Sequence, residues 1–89
     1  MNAQEDQIFN KVSAVMAEMF RIPAGARIGP QTTSADVDGW DSLSHAVLIM
    51  KLEEAFGVDL PLDRVYALNN VGELVQLLHE QFPKSKGSP

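Results

Sequence analysis

The stretch "GWDSLSHAVLIMKLEEAFGVDLP", residues 39 to 61, has the pattern of a helix with two apolar faces. At 3.6 residues per turn, one face carries His45, Ile49, Leu52 and Phe56, as expected of a helix that packs on a core. The opposite face carries Leu43, Val47 and Met50, which we call the outer ridge. Because an apolar row on a surface helix marks an interaction site, the outer ridge predicts a docking surface beside the serine of the first turn, Ser42.

The sequence marks both ends of this helix. Asp41 stands before it and belongs to the residue types favoured at helix N-caps. Gly57 follows it and suits the left-handed conformation in which many helices end. The helix is therefore predicted to run from Ser42 to about Phe56. Its charged residues Glu53 and Glu54 are expected on a solvated face.

A helix is also predicted near the start of the chain. Its apolar positions, at helical spacing, are Ile8, Val12, Val15 and Met19. Asn2 and Glu5 are spaced as a capping box, and Pro23 lies just beyond the end. The loop that follows, from about Ile22 to Trp40, is long for so small a chain, which favours a functional loop.

The remaining segments predict a short helix in "LDRVYAL", of roughly two turns, and a longer last helix. Asn70 and Glu73 form a second capping box, and Pro83 is expected to end the last helix. Its buried positions are predicted to be Val71, Leu74, Val75, Leu78 and Phe82. The predicted class is all-α, a bundle of three longer helices and one short third helix. We expect one domain over residues 1–82 and a disordered tail over 83–89.

Composition excludes several classes of function. The 89 residues carry a net charge of -5, which disfavours nucleic acid and anionic membrane surfaces as partners. The chain has no cysteine, so any thiol chemistry must come from a cofactor. The polar start and the short aliphatic runs predict a cytoplasmic protein.

Three alternatives concern local chemistry. Ser42 and His45 lie three residues apart and could form a nucleophile and base, but no acid is identified to orient the imidazole, and a packed, hydrogen-bonded histidine is favoured. Asp36, Asp38 and Asp41 lack the glycine and closing glutamate of a calcium loop, so caps and turns explain them better. Trp40 either pins the long loop over the core or flanks whatever docks at Ser42.

The order of these motifs resembles the acyl carrier protein family. "DSL" at Asp41, Ser42 and Leu43 matches the attachment motif of that family, and "LEEAFGVDLP" matches the end of its second helix and the following turn. "DRVYALNNVGEL" is similar to its short third helix and the start of its fourth. The resemblance extends from the first helix to about Phe82 and includes the long loop.

The resemblance implies a carrier with no catalytic residues and no metal site of its own. A phosphopantetheinyl transferase would use coenzyme A and a magnesium ion to attach 4'-phosphopantetheine to the Ser42 oxygen. The thiol of this arm would then carry acyl groups as thioesters. Further implied partners are an acyl-loading ligase or acyltransferase and downstream biosynthetic enzymes, and the chain is expected to be a monomer. The expected partner surface consists of Asp41, Leu43, Val47, Met50 and Glu54.

Two departures from the family pattern bear on the pathway. Val47 stands where carriers of fatty acid synthesis usually have an acid, and Lys51 is the only full charge from Ser42 to Leu52. This form is more similar to free-standing carriers of specialised pathways, such as polysaccharide modification, polyketide units or aminoacyl loading. The alternatives are an aminoacyl or peptidyl carrier, an unmodified helical protein-interaction domain and, more remotely, a small Ser/His hydrolase.

Overall fold

The computed structural model describes residues 3–23 and 28–87, with side chains described as far as residue 81. Four α-helices follow one another along this part of the chain: α1 (Ala3–Met19), α2 (Ser42–Phe56), α3 (Leu62–Val65) and α4 (Val71–Gly87). Helix α1 packs against both α2 and α4. The predicted all-α class, with three longer helices and a short third one, is confirmed.

The core lies between these helices and beneath the loop that joins α1 to α2. Its buried side chains are Ile8, Val12, Met16, Val37, Trp40, Leu48, Ile49, Leu52, Val58, Leu60, Val65, Val71, Leu74, Val75, Leu77 and Leu78. The predicted face of α1 is correct except at its end, where Met16 is buried and Val15 and Met19 are half-buried. The face of α2 is centred on Leu48, Ile49 and Leu52, which leaves His45 and Phe56 half-buried at its edges.

Helix α1 ends as predicted before Pro23. Arg21 adopts a left-handed conformation with φ of 53°, and the Ile22 amide donates to the Ala17 carbonyl at 3.0 Å. This is the hydrogen bond of a Schellman motif, which stops a helix and redirects the chain. At the other end, the predicted capping box includes Asn2, which lies outside the described residues.

The part of the loop between α1 and α2 that the structure describes from residue 28 onwards is more ordered than the sequence indicated. It contains a one-turn 3-10 helix, Ser34–Asp36, and it buries Val37 and Trp40. The first amides of α4 donate to its backbone: Val71 N–H to Thr32 O at 2.9 Å and Gly72 N–H to Pro30 O at 2.8 Å. Because the first amides of a helix have no partner within the helix, these bonds both cap α4 and fix the loop.

The turn after α2 depends on Gly57 and on Glu53. Gly57 has φ of 67°, as predicted for a left-handed C-cap. The prediction that Glu53 lies on a solvated face is wrong, because it is half-buried and its Oε2 accepts the Leu60 amide proton at 2.8 Å. This carboxylate therefore holds the chain that leads to α3, and only Glu54 of the pair is exposed.

Helix α3 is shorter than the two turns predicted. Arg64 N–H and Val65 N–H both donate to Pro61 O, and Ala67 N–H already donates to Arg64 O, three residues back. The hydrogen bonding thus tightens to a 3-10 pattern, and the helix ends at Val65.

Helix α4 departs from prediction at both ends. Asn70 Oδ1 caps it by accepting the Glu73 amide at 2.9 Å, as predicted. The reciprocal bond differs, because Glu73 Oε1 accepts the Asn69 amide at 3.1 Å, whereas the capping box predicted the Asn70 amide as the donor. The expected stop at Pro83 is wrong, since the helix continues to Gly87. The φ of proline is compatible with a helix, and the residue removes one backbone hydrogen bond without necessarily ending it. The domain boundary at residue 82 stays a prediction.

Candidate functional site

The start of α2 is fixed by a reciprocal pair of hydrogen bonds. Asp41 Oδ1 accepts the Ser44 amide at 2.9 Å, and Ser44 Oγ accepts the Asp41 amide at 2.8 Å. Ser44 Oγ also donates to Gly39 O at 2.6 Å, which ties the helix to the preceding loop. Asp41 was predicted as the N-cap, whereas the part of Ser44 was missed because serine is an uncommon third member of a capping box.

The pKa of the Asp41 carboxyl is lowered for a local reason. The hydrogen bond from the Ser44 amide, followed by that from its hydroxyl, holds the pKa of Asp41 below its ordinary value. A negative charge at this end of α2 also interacts favourably with the helix dipole.

Ser42 occupies the first turn of this fixed helix and is exposed. Within the described part of the chain, its hydroxyl has no hydrogen-bond partner. The hydroxyl is therefore accessible from solvent, on a backbone whose position is set by its neighbours Asp41 and Ser44.

His45 does not act on Ser42 as a base in this arrangement. Its Nδ1 accepts the indole N–H of Trp40 at 3.0 Å, so the ring proton is on Nε2, which donates to the Val65 carbonyl at 2.7 Å. Both nitrogens are engaged, as predicted for a packed histidine, although the ring is half-buried rather than buried. The histidine instead joins the loop, α2 and α3.

Four rings form a row through this region. Ring centroids are 6.0 Å apart for Phe20 and Trp40, 5.9 Å for Trp40 and His45, and 5.7 Å for His45 and Tyr66. These separations lie within the range of favourable ring contacts. Trp40 is buried and pins the loop over the core, which is one of its two predicted roles.

A cavity of about 340 Å³ lies directly beside Ser42. It is bounded by the start of α2, by α3 with the turn after it, and by the beginning of α4. Trp40 and His45 line one side, and Val65, Tyr66 and Asn70 line others. Trp40 therefore also borders the site at Ser42, as its second predicted role requires, and that role stays a prediction. Tyr66 and Asn70 were missed as site residues because they follow no helical periodicity with Ser42.

The outer ridge is exposed as predicted: the exposed fractions are 77% for Leu43, 39% for Val47 and 66% for Met50. Two apolar side chains of the α3 region are also exposed, Leu62 at 70% and Tyr66 at 55%. The sequence did not predict that these two side chains are exposed, because a one-turn helix is too short for a periodic pattern of apolar residues. Asp41 and Glu54, the acidic members of the expected partner surface, are exposed as well.

The aspartates of the loop serve as caps. Asp36 Oδ2 accepts the Thr33 amide at 2.9 Å, and Asp41 caps α2 as described above. Within the described residues, no group of three or more potential metal-binding side chains is present. In the same part of the chain, no helix combines the length and apolar character needed to cross a membrane.

An exposed serine at a capped helix start, in a small helical bundle, is the arrangement that an attachment site for a prosthetic group requires, and comparison with known proteins identifies the class. The family described as "Phosphopantetheine attachment site" matches residues 10–78. An acyl carrier protein of Helicobacter pylori strain G27 is 36% identical over 73 residues, which cover 82% of this chain and 92% of the relative. An acyl carrier protein of Lactobacillus johnsonii is 34% identical over 74 residues, or 83% of this chain and 91% of the relative.

The solution structure of a holo acyl carrier protein from Geobacter metallireducens has the same fold, with a TM-score of 0.81 and 26% sequence identity. The similarity covers 92% of this chain and 93% of that one. The chain belongs to the acyl carrier protein family. It is thus a carrier with a phosphopantetheine prosthetic group rather than a catalyst. Membership of this family implies interaction with phosphopantetheinyl transferase and acyl-handling enzymes.

Proposed function

We propose that Ser42 is the attachment residue for 4'-phosphopantetheine and that the chain carries acyl groups for a specialised pathway rather than for fatty acid synthesis. The observation that supports the attachment is the exposed, unpartnered Ser42 hydroxyl on a helix start fixed by Asp41 and Ser44. A transferase needs access to this oxygen, and a fixed backbone presents it in one position.

The residues around Ser42 fit the arm that would be attached. The neighbouring cavity combines apolar walls with amide side chains, as the mixed apolar and amide composition of the arm requires. When attached, the arm supplies the thiol that the cysteine-free chain lacks and so binds acyl groups as thioesters. The protein's own part is to present Ser42, to orient the start of the arm and to dock the partner enzymes.

The outer ridge supports a pathway other than fatty acid synthesis. Leu43, Val47 and Met50 together expose nearly as much as two fully exposed apolar side chains, so their burial against a partner contributes up to roughly 3 to 6 kcal/mol before the costs of association. Charge contributes less, because Glu53 is engaged with the Leu60 amide and Glu54 lies about three turns from Ser42. We therefore propose that partner enzymes bind mainly the outer ridge, with smaller contributions from Asp41 and Glu54.

The attachment is tested by incubating the chain with coenzyme A, magnesium and a broad-specificity phosphopantetheinyl transferase. We expect the intact mass to increase by one phosphopantetheine, and Ser42→Ala to abolish the increase. Ser13→Ala is the matched control, since it removes a hydroxyl of α1 that has no hydrogen-bond partner in the described part of the chain and leaves the capped start of α2 unchanged. No increase with several transferases would favour the unmodified interaction domain, and an increase that survives Ser42→Ala would place the attachment elsewhere.

The docking surface is tested with the enzyme that acylates the holo chain. Val47→Asp should raise the Kd more than Glu54→Gln does, and the affinity of the unchanged chain should depend little on salt because apolar contacts are not screened. Circular dichroism and Ser42 modification control for folding. If Glu54→Gln is the more damaging change and affinity falls steeply with salt, docking is by charge and the specialised-pathway proposal loses its support. Loading with an amino acid rather than another acyl group would favour the aminoacyl alternative.

A further inference from the structure

We propose that the docking surface of this carrier extends from the outer ridge across the groove between α1 and α2. The groove receives a segment of the partner enzyme in which an apolar side chain lies between a basic and an acidic residue. This inference rests on the proposed docking of enzymes at the outer ridge. It gives α1, whose apolar residues otherwise serve the core, a part in partner recognition.

A cavity of about 380 Å³, which we call the α1–α2 groove, lies between the last turns of α1 and the second half of α2. Val15, Glu18 and Met19 line it from α1, and Lys51 lines it from α2. Val15 and Met19 are half-buried, so part of each apolar side chain remains in contact with solvent. Because about 150 Å³ accommodates a benzene molecule, the groove has room for a large apolar side chain.

The two helices that form the groove run antiparallel past each other. In the middle of α1, the Lys11 Nζ group donates to Ala55 O at 3.0 Å and lies 4.9 Å from the centre of the Phe56 ring. Four residues later in α1, Val15 shares the groove with Lys51, which lies four residues before Ala55 in α2. The contacts of Lys11 therefore close the groove at the C-terminal end of α2.

The other end of the groove meets the outer ridge. One further step of four residues along each helix places Met19 beside Val47. Val47 is 39% exposed, whereas Leu43 and Met50 are 77% and 66% exposed, which fits partial cover of Val47 by α1. The outer ridge and the α1–α2 groove therefore form one continuous apolar surface.

The groove also carries two charged side chains that are available to a partner. Glu18 on α1 and Lys51 on α2 are exposed, and within the described residues neither side chain makes an ion pair or a hydrogen bond. Lys11 differs, because its ammonium group is engaged with the end of α2. Opposite charges on the two walls fit a partner with a base facing Glu18 and an acid facing Lys51, in that order across the groove. A purely basic partner surface, which the net charge of -5 alone would suggest, leaves Lys51 unmatched.

The first experiment follows the ¹³C-labelled methionine methyl groups of the holo chain while the loading enzyme is titrated in. The enzyme is identified beforehand by thioester formation on the holo chain. We expect the methyl resonances of Met19 and Met50 both to shift and to become less accessible to a soluble paramagnetic relaxation agent, because the partner covers both. Met16 is fully buried in the free chain and is the internal control, since its accessibility should not change.

The second experiment tests the order of the charges. Glu18→Lys combined with Lys51→Glu keeps the net charge of -5 and inverts the charges across the groove. We expect the Kd for the loading enzyme to rise about tenfold, because two attractive pairs become two repulsive ones. The matched control is Arg64→Glu combined with Glu80→Arg, which exchanges the ends of an exposed ion pair between α3 and α4. This control should change the Kd by less than about twofold, and circular dichroism should show all chains folded.

The outcomes separate this inference from the proposed function. Protection of Met50 without Met19, or an unchanged Kd after the charge exchange while Val47→Asp weakens binding, would show that the partner contacts only the outer ridge. The inference would then be wrong and docking at the ridge would stand. Protection of neither methionine in a complex that forms would contradict both. Absence of any mass increase with phosphopantetheinyl transferase would remove the carrier proposal on which both depend.

Discussion

Replacing Gly72 by alanine has two opposite effects on stability at the start of α4: a higher helix propensity, which stabilises, and crowding against the loop, which destabilises. The Gly72 amide donates to Pro30 O at 2.8 Å, so the loop backbone approaches this residue closely. A Cβ at residue 72 would lie 3.0 Å from Pro30 O, 3.2 Å from Pro30 Cβ and 3.3 Å from Asn70 Oδ1. The first of these contacts is with backbone, which cannot rotate away as a flexible side chain could.

The opposing contributions can be estimated. Helix propensity alone predicts that Gly→Ala stabilises the chain by about 1 kcal/mol. Crowding costs about 1 to 3 kcal/mol, and weakening of the bond to Pro30 costs about 1 kcal/mol more. We therefore expect Gly72→Ala to lower the free energy of unfolding by about 1 to 3 kcal/mol, or Tm by at least about 4 °C for a domain of this size.

The assay is urea unfolding of the apo chain, followed by circular dichroism and by Trp40 fluorescence. Gln76→Ala is the matched control, because Gln76 is an exposed residue of the same helix and its change should alter stability by less than about 0.5 kcal/mol. A Gly72→Ala chain more stable than the original would refute the close approach of the loop to α4, since propensity would then act unopposed.

Three further changes test other contacts. His45→Gln should cost about 1 to 3 kcal/mol in urea unfolding, because it disrupts the bonds to Trp40 and Val65, while intact mass shows Ser42 still modified. A chain of unchanged stability that could not be modified would contradict the structural role. Glu53→Ala should cost about 1.5 to 3 kcal/mol, since it leaves the Leu60 amide without its charged acceptor, whereas Glu54→Ala should cost almost nothing. Because the pKa of Asp41 is lower in the folded chain, its stabilising contribution is present at neutral pH and is lost as the pH falls below about 4. As the pH falls into the acid range, the Tm of the Asp41→Asn chain, which keeps the cap without the charge, should therefore fall less steeply than the Tm of the original chain. Equal slopes for the two chains would contradict this account.

The ends of α2 could be predicted from sequence because their causes are local. Asp41 and Gly57 act on backbone within three or four residues of themselves, and residue type alone carries that information. The outer ridge was predictable for the same reason, since its spacing along one helix places it opposite the core. The all-α class followed from the same periodicity.

The cavity could not be predicted, because its walls come from segments far apart in the chain. Asn70 was identified only as a cap, and nothing in its sequence neighbours indicates that it borders the same space as Ser42. The capping of α4 by the carbonyls of Pro30 and Thr32 could not be predicted either, because any residue type has a backbone carbonyl that can cap a distant helix. Glu53 was predicted to face solvent because it is charged, but its carboxylate accepts a main-chain amide proton of the following turn.

The row of rings from Phe20 to Tyr66 has a consequence for how substitutions combine. Each ring comes from a different segment: the turn after α1, the loop, α2 and the turn after α3. Contacting residues have interaction energies that make their mutational effects non-additive. In a chain that lacks the Trp40 ring, a change at His45 or Phe20 should cost less stability than in the original chain, because the contact with the indole is already gone. Double-mutant cycles along the row therefore measure how far the four segments form one cooperative unit.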